Sequence, residues 1–187
     1  MSDFDAEEIA GFIDDLSGAS RRKRQDAAHK VALIAKEEPE AIAPYVEALI
    51  DALERPEAQT RWAVLTGLTQ LLPEHADEVA SACDGAEQSL FDEDSATVRL
   101  AAFVFLAKYG ASSPERSDET WPLLDEAIQC YHGDAEYHDM LVALLDMAQG
   151  NISKATKKAL SDRVSFDANR GSGYIKTYSS QILEALG

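Results

Sequence analysis

The sequence predicts an all-α fold in which a pair of helices is repeated along the chain. Apolar positions recur at helical spacing, the pattern repeats every 37 to 38 residues, and no segment alternates as a half-buried strand does. At 187 residues with 45% hydrophobic side chains, the chain is long enough to bury its own core. We therefore expect one domain that covers residues 1–187.

The first helix of each pair is defined by five anchor positions. They are Arg24, Arg61, Arg99, Tyr137 and Ile175, which lie 37, 38, 38 and 38 residues apart. Three, seven and ten residues after every anchor, the side chain is apolar or aromatic. These positions are Ala27, Val31 and Ile34; Val64, Leu68 and Leu71; Ala102, Leu106 and Tyr109; Met140, Leu144 and Met147; and Tyr178, Ile182 and Ala185. Because offsets of 3, 7 and 10 follow one face of a helix, we expect this face to be buried.

A second set of helices is predicted between the anchored ones, over residues 39–54, 74–91, 121–131 and 152–164. In the first of them, apolar and acidic side chains separate onto two faces. The apolar face holds Ile42, Val46, Leu49, Ile50 and Leu53, and the acidic face holds Glu40, Glu47, Asp51 and Glu54.

Prolines and glycines are expected to mark the ends of these helices. Five prolines should lie between helices or in first turns, where a missing N–H costs little: Pro39, Pro56, Pro73, Pro114 and Pro122. Pro44 is expected to start or kink its helix. Gly110, Gly133 and Gly150 are expected to end helices in the left-handed conformation.

The two ends of the chain are predicted to be capping helices, each with one apolar stripe. The stripes are Ile9, Phe12, Ile13 and Leu16 at the start, and Ile175, Tyr178, Ile182 and Leu186 at the end. We expect an N-terminal cap within 1–19, four helical pairs within 20–170 and a C-terminal cap within 171–187. Leu183 leaves a dimer face open as an alternative, so a monomer or a weak homodimer is expected.

The segment DSATVRLAAFVFLAKYG (94–110) resembles the first helix of a HEAT repeat, with an acidic residue, a Val-Arg pair and a ladder of small and apolar residues. Residues 56–72 and 20–36 are looser copies. The resemblance covers 20–187 and implies an α-solenoid of about four HEAT/armadillo-like helical pairs. Two features depart from the pattern: Tyr137 and Ile175 replace the arginine, and the period is slightly shorter than the ~40–47 residues typical of the family.

The same resemblance implies a non-catalytic protein-interaction scaffold whose second helices line the binding surface. These helices are predicted to expose carboxylates: Glu47, Asp51, Glu54, Asp77, Glu78, Glu87, Asp125 and Glu126. The hypothesis is a ridge that binds a basic or amphipathic segment of another protein, and the alternative is a solvated face. Arg61 and Trp62 form a second candidate contact, although the place of Trp62 at the margin of its stripe favours core packing.

The net charge of −17 argues against a nucleic-acid partner and favours cationic ones. No apolar run reaches the ~20 residues needed to span a bilayer, so no membrane is expected. Two cysteines, Cys83 and Cys130, in apolar surroundings suggest reduced thiols. The acidic N-terminus lacks the pattern of a secretory signal, and a cytoplasmic location is expected.

No enzyme, cofactor or metal site is predicted, because the phosphate-binding, nucleophile-elbow and paired-histidine motifs are missing from the sequence. The alternative is a metal site or active site at the corner CYHGDAEYH. Its candidate ligands are Cys130, His132, Asp134 and His138. HEAT-like alkylpurine DNA glycosylases are a further alternative, but the acidic surface and the separation of Trp62 from Trp121 disfavour them.

Four cations in a row, Arg21 to Arg24, begin the first repeat helix. They lie at the positive end of the helix dipole and need compensation. The first twenty residues carry a net charge of −6 and residues 21–36 carry +5. The cluster is therefore interpreted as the partner of the capping helix, with an external anion as the alternative.

Overall fold

The computed structural model describes residues 4–187 and confirms the all-α prediction. Met1–Asp3, which include one acid of the N-terminal block and the start of the expected cap, lie outside the described residues. The helices are α1 Ala6–Ser17, α2 Arg21–Glu37, α3 Val46–Asp51, α4 Ala58–His75, α5 Ala82–Leu90, α6 Ala96–Gly110, α7 Pro114–Cys130, α8 Tyr137–Ala148, α9 Lys154–Arg170 and α10 Gly173–Leu186. None of the described helices has both the length and the apolar character required to cross a membrane.

The chain divides between Phe105 and Leu106, inside α6, into two compact units. In the first unit, α1 packs on α2 and α3, and α2 packs on α4. In the second unit, α10 packs on α8 and α9, and α7 packs on α9. The expectation of a single domain stays a prediction.

The predicted face of the anchored helices is the core. Thirteen of its fifteen positions are buried, and only Tyr178 and Ala185, both in α10, are half-buried. The stripe of α1 is confirmed as well, since Ile9, Ile13 and Leu16 are buried and Phe12 is half-buried. In the last helix, Ile182 is the one member of the predicted stripe that is fully buried. The periodicity therefore identifies the core correctly except at its C-terminal edge.

The prediction of a continuous helix over 39–54 is wrong. The segment consists of 3₁₀ turns at Pro39–Ala41 and Ala43–Tyr45, the short α3, and a third 3₁₀ turn at Ala52–Glu54. Each of the first two turns has a proline in its first positions. Because proline lacks an N–H, these residues cannot continue the hydrogen-bond ladder of one helix.

Two prolines expected at helix ends lie inside helices. Pro73 is in the last turn of α4, and Pro122 is in the middle of α7. The predicted helices over 74–91 and 121–131 are therefore wrong in their bounds. In α7 the true start is set by Ser113, whose side chain accepts a hydrogen bond from the N–H of Arg116 at 3.3 Å. The first turns of α7 are polar, so the apolar pattern of the sequence did not indicate that the helix begins at Pro114.

The three glycines expected in the left-handed conformation have different roles. Gly133 has φ +83°, as predicted, whereas Gly110 and Gly150 do not have positive φ. A Cβ at Gly150 would lie 2.7 Å from the carbonyl oxygen of Ala111, which also accepts a hydrogen bond from the N–H of Asn151 at 2.8 Å. Gly150 is therefore needed for a close backbone approach and not for its φ angle.

Candidate partner-binding surfaces

Two of the anchor arginines of the first unit form ion pairs with carboxylates 33 and 31 residues further along the chain. Arg24 binds Glu57, and Arg61 binds Asp92 at 2.7 Å; both pairs are largely buried. Burial opposes ionisation of Asp92, but hydrogen bonds from Arg61 and from the N–H groups of Asp94 and Ser95 outweigh it and lower the pKa of that carboxyl. The guanidinium of Arg61 is therefore used inside the fold, and its role in binding a partner stays a prediction.

The basic cluster that opens α2 is only partly matched to the capping helix. Lys23 lies 3.7 Å from Asp15 of α1, while Arg22 pairs with Asp26 of its own helix at 3.8 Å. Arg24 donates a hydrogen bond to the carboxylate of Glu57 and another to the carbonyl oxygen of Gly18, the latter at 2.8 Å. The interpretation as a partner of α1 therefore holds for Lys23, and the most buried pair joins α2 to the residue that precedes α4.

The acidic surface of the first unit is built from α3, the 3₁₀ turn after it, and α5. We define it by five exposed carboxylates: Glu47, Asp51, Glu54, Asp84 and Glu87. The first three recur at helical spacing, so they share one face. Among residues 4–187 none of the five has an ion-pair partner. Asp84 is a member that the sequence did not predict.

Close packing brings the two parts of the acidic surface onto adjoining elements. The 3₁₀ turn Ala52–Glu54 contacts α5, and Gly85 is the point of approach. A Cβ at Gly85 would lie 2.8 Å from the Cβ of Leu53. Since real Cβ atoms do not come this close, glycine at this position allows the backbone of α5 to pack directly on the Leu53 side chain.

Asp77 and Glu78 belong to the turn after α4 and are exposed. Glu78 lies 3.6 Å from Nδ1 of His75, whose Nε2 lies 3.0 Å from Glu40. The hydrogen bond with Glu40, the largest effect, and the charge of Glu78 outweigh burial and raise the pKa of His75 above 6.5. Glu78 is therefore engaged within the fold, unlike the five carboxylates of the acidic surface.

We expect His75 to titrate above pH 6.5, and replacement of Glu40 by Gln to lower its midpoint. Because the folded-state pKa is raised, the stabilisation is complete below pH 6.5 and is lost as pH rises through the folded-state pKa. The titration can be followed by the NMR shifts of the imidazole carbon-bound protons. A midpoint that does not move in Glu40→Gln would contradict the role of this contact.

In the second unit, Asp125 is engaged and Glu126 is not. Asp125 receives two hydrogen bonds from Arg163 of α9, at 2.5 and 2.9 Å, and is half-buried. Glu126 is exposed and has no ion-pair partner in the described chain. The hydrogen bonds that Arg163 donates to Asp125 raise the pKa of Arg163. Of these two predicted carboxylates, only Glu126 is exposed to solvent and without an ion-pair partner in the described chain.

Trp62 is half-buried, which suits a side chain at the margin of its apolar stripe, and the interpretation favouring core packing stays a prediction. It lines a cavity of about 370 Å³ in the first unit. The other lining residues are Ala58, Gln59, Ser95 and Thr97. Trp121 is half-buried as well. A role for Trp62 in binding a partner stays a prediction.

The corner proposed as an alternative metal site does not bring its four side chains together. His132 contacts Asp167 at 2.8 Å, and His138 contacts Asp139 at 2.7 Å. Cys130 is exposed, contrary to the expected apolar surroundings. Within residues 4–187, no three His, Cys, Asp or Glu side chains are placed to hold a metal ion together. The corner is therefore a pair of separate histidine–carboxylate contacts.

No family model and no curated protein matches the chain. Solved structures do match it. A designed armadillo repeat protein in complex with the peptide (KR)4 has a TM-score of 0.77 at 16% identity, over 97% of this chain and 82% of that chain. A computationally designed armadillo repeat protein for modular peptide recognition has a TM-score of 0.75 at 15% identity, over 97% and 83%. An engineered protein has a TM-score of 0.74 at 17% identity, over 98% and 84%.

These likenesses define the fold class. The chain has the fold of an armadillo-like α-solenoid, as the resemblance to HEAT repeats predicts.

Proposed function

We propose that the chain is a non-catalytic protein-interaction scaffold that binds a basic or amphipathic segment of another protein at the acidic surface of its first unit. The observation that carries the proposal is the division of carboxylates into two classes. Glu57 is buried, Asp92 is half-buried and both are bound to arginines, whereas the five members of the acidic surface are exposed and without ion-pair partners in the described chain. Exposed carboxylates in one surface attract cations.

Two further observations support a cationic partner. The net charge of −17 steers positively charged segments toward the chain. A designed armadillo repeat protein of similar fold is bound to the peptide (KR)4, in which every residue is basic. Of the other predicted contacts, Asp77 is an exposed acid in the turn after α4, and Glu126 is an exposed acid of the second unit that is not part of the acidic surface. Asp125 and Arg61 are each bound within the fold, to Arg163 and to Asp92, and would have to leave these contacts to bind a partner.

The proposal is tested with fluorescently labelled (KR)4 as the probe and fluorescence anisotropy as the measurement. Binding should weaken steeply as salt is added, because exposed charges are screened within about 10 Å at 0.1 M salt. The triple variant Glu47→Gln, Asp51→Asn, Glu54→Gln should bind roughly 3- to 160-fold more weakly, since exposed pairs contribute about 0.2–1 kcal/mol each.

The matched control removes three exposed carboxylates of the second unit, in the variant Glu119→Gln, Asp146→Asn, Glu184→Gln. It changes the net charge by the same amount as the triple variant, but its three residues lie outside the acidic surface. The affinity should therefore fall no more than about twofold. An equal loss in both variants would show attraction to net charge rather than to a site. Absence of binding at low ionic strength would overturn the proposed function.

A further inference from the structure

Phe166 is the most exposed large hydrophobic residue of the described chain. The residue is 73% exposed, compared with 51% for Leu33 and 37% for Tyr174. It lies on α9, on the wall of a cavity of about 380 Å³ in the second unit. The remaining lining residues are Ile128, Gln129, His132, Arg163 and Asp167. This volume falls at the lower end of ligand pockets, which span roughly 300–1,000 Å³.

Two polar contacts hold the walls of this groove in place. Arg163 donates to both carboxylate oxygens of Asp125, at 2.5 and 2.9 Å, and so ties α9 to α7. His132, two residues after the end of α7, contacts Asp167 of α9 at 2.8 Å. The groove is therefore formed before any ligand arrives, which reduces the entropic cost of binding.

The charge around Phe166 differs from that of the other second helices. α9 carries five basic and two acidic residues, whereas α3, α5 and α7 are each net acidic. Arg163 and Arg170 lie three residues before and four residues after Phe166, so both are on its side of the helix. Arg163 is committed to Asp125. Arg170 is exposed and has no ion-pair partner among residues 4–187.

We propose that the groove between α7 and α9 binds a segment of a partner protein that inserts an aromatic or aliphatic side chain against Phe166 and Ile128 and places a carboxylate beside Arg170. The apolar part follows from the exposed ring over a preformed cavity, since exposed apolar surface beside a groove is typical of interaction sites. The acidic part follows from charge complementarity with the unpaired guanidinium. The preferred charge is opposite to that of a ligand for the acidic surface, so the chain presents two binding surfaces of different specificity.

The probe is a fluorescently labelled amphipathic peptide of Leu, Phe and Glu, compared with a matched peptide in which Lys replaces Glu. The wild-type chain should bind the Glu peptide more tightly. Phe166→Ser should weaken binding roughly tenfold or more, as loss of an aromatic anchor does. Arg170→Glu should reverse the preference between the two peptides. Because both side chains are exposed, circular dichroism and the thermal midpoint should stay unchanged in both variants.

Leu33→Ser is the matched control. Leu33 is also an exposed apolar residue on a basic helix, α2, but it belongs to the first unit. The control should bind the Glu peptide within about twofold of wild type, because apolar truncation outside a hot spot is nearly neutral.

Several results would overturn the proposal. Unchanged binding by Phe166→Ser, or an equal loss in Leu33→Ser, would show that the groove is not the site. Equal affinity of the wild type for the Glu and Lys peptides would remove the acidic specificity. Self-association of the wild type in sedimentation that disappears in Phe166→Ser would make a second copy the occupant. Failure of (KR)4 to bind the acidic surface would leave the groove result unaffected, since probe and variants are different.

Discussion

Replacement of Arg24 by Met is expected to destabilise the protein by about 3–5 kcal/mol. The side chains of Arg24 and Glu57 are only 11% and 5% exposed, so the pair is nearly excluded from water. Loss of the guanidinium leaves the Glu57 carboxylate buried without a counter-charge. The carbonyl oxygen of Gly18, which accepts from Arg24 Nη1 at 2.8 Å, loses its donor too. Urea unfolding followed by circular dichroism measures the effect.

Two further variants separate this pair from charge in general. Arg24→Met combined with Glu57→Met should recover most of the lost stability, because an apolar pair can replace a buried ion pair at little cost. Arg22→Met is the matched control, since Arg22 is 91% exposed and pairs with Asp26 at 3.8 Å. It should cost less than about 0.5 kcal/mol. An equal cost for Arg22→Met and Arg24→Met would contradict a structural role for the buried pair.

The same pair gives the stability a dependence on acid. The hydrogen bond from Arg24 is the largest effect on Glu57, and together with the nearby charge it lowers the pKa of this carboxyl below 4.5 despite burial. A lowered folded-state pKa means that the stabilisation is complete above pH 4.5 and is lost as pH falls through the folded-state pKa. This acid-dependent part should disappear from the stability profile of Arg24→Met.

The core was predictable because apolar side chains recur at the same offsets from each anchor residue. Positions such as Val31, Leu68 and Leu106 are apolar at the same offset from an anchor, and all three are fully buried. The second helices were harder to predict because their signals conflict. Pro122 suggests a helix start, yet a single missing N–H is tolerated in α7, where Leu124, Ala127 and Ile128 pack on the core. Tertiary packing outweighed the local preference.

The positions of the exposed carboxylates were largely predictable from helical spacing. Which carboxylates form ion pairs or hydrogen bonds within the fold was not. Nothing near Asp125 in the sequence indicates that Arg163 will bind it, because the two residues are 38 positions apart. That separation equals one repeat, and the same holds for the bond from Thr156 to Asp118, also 38 positions apart. Complementary polar residues one repeat apart are thus a signal that would have identified Asp118 and Asp125, whereas the acids bound by Arg24 and Arg61 lie 33 and 31 positions away. Phe166 carried no such signal, since an apolar residue in a helix is expected to be inward.

Gly110→Ala is expected to destabilise the protein by about 1–3 kcal/mol, although alanine is the better helix former by about 0.8–1 kcal/mol. A Cβ at this last position of α6 would lie 2.2 Å from Thr120 Oγ1 and 3.1 Å from Met147 Cε. Thr120 is 1% exposed and donates to the carbonyl oxygen of Arg116 at 3.0 Å, so it has little freedom to move away. Thermal or urea unfolding would report the loss.

A second substitution shows whether the clash is the cause. Thr120→Ala alone should cost about 1 kcal/mol for its hydrogen bond. In the double variant Gly110→Ala, Thr120→Ala, the added methyl occupies the space of the removed hydroxyl, so the two costs should not add, with a coupling of about 0.5–3 kcal/mol. Gly11→Ala is the control, because a Cβ there would meet no atom within 4 Å and should stabilise α1 by about 0.5–1 kcal/mol. Additive costs would mean that Gly110 serves the turn after α6 rather than the approach of Thr120.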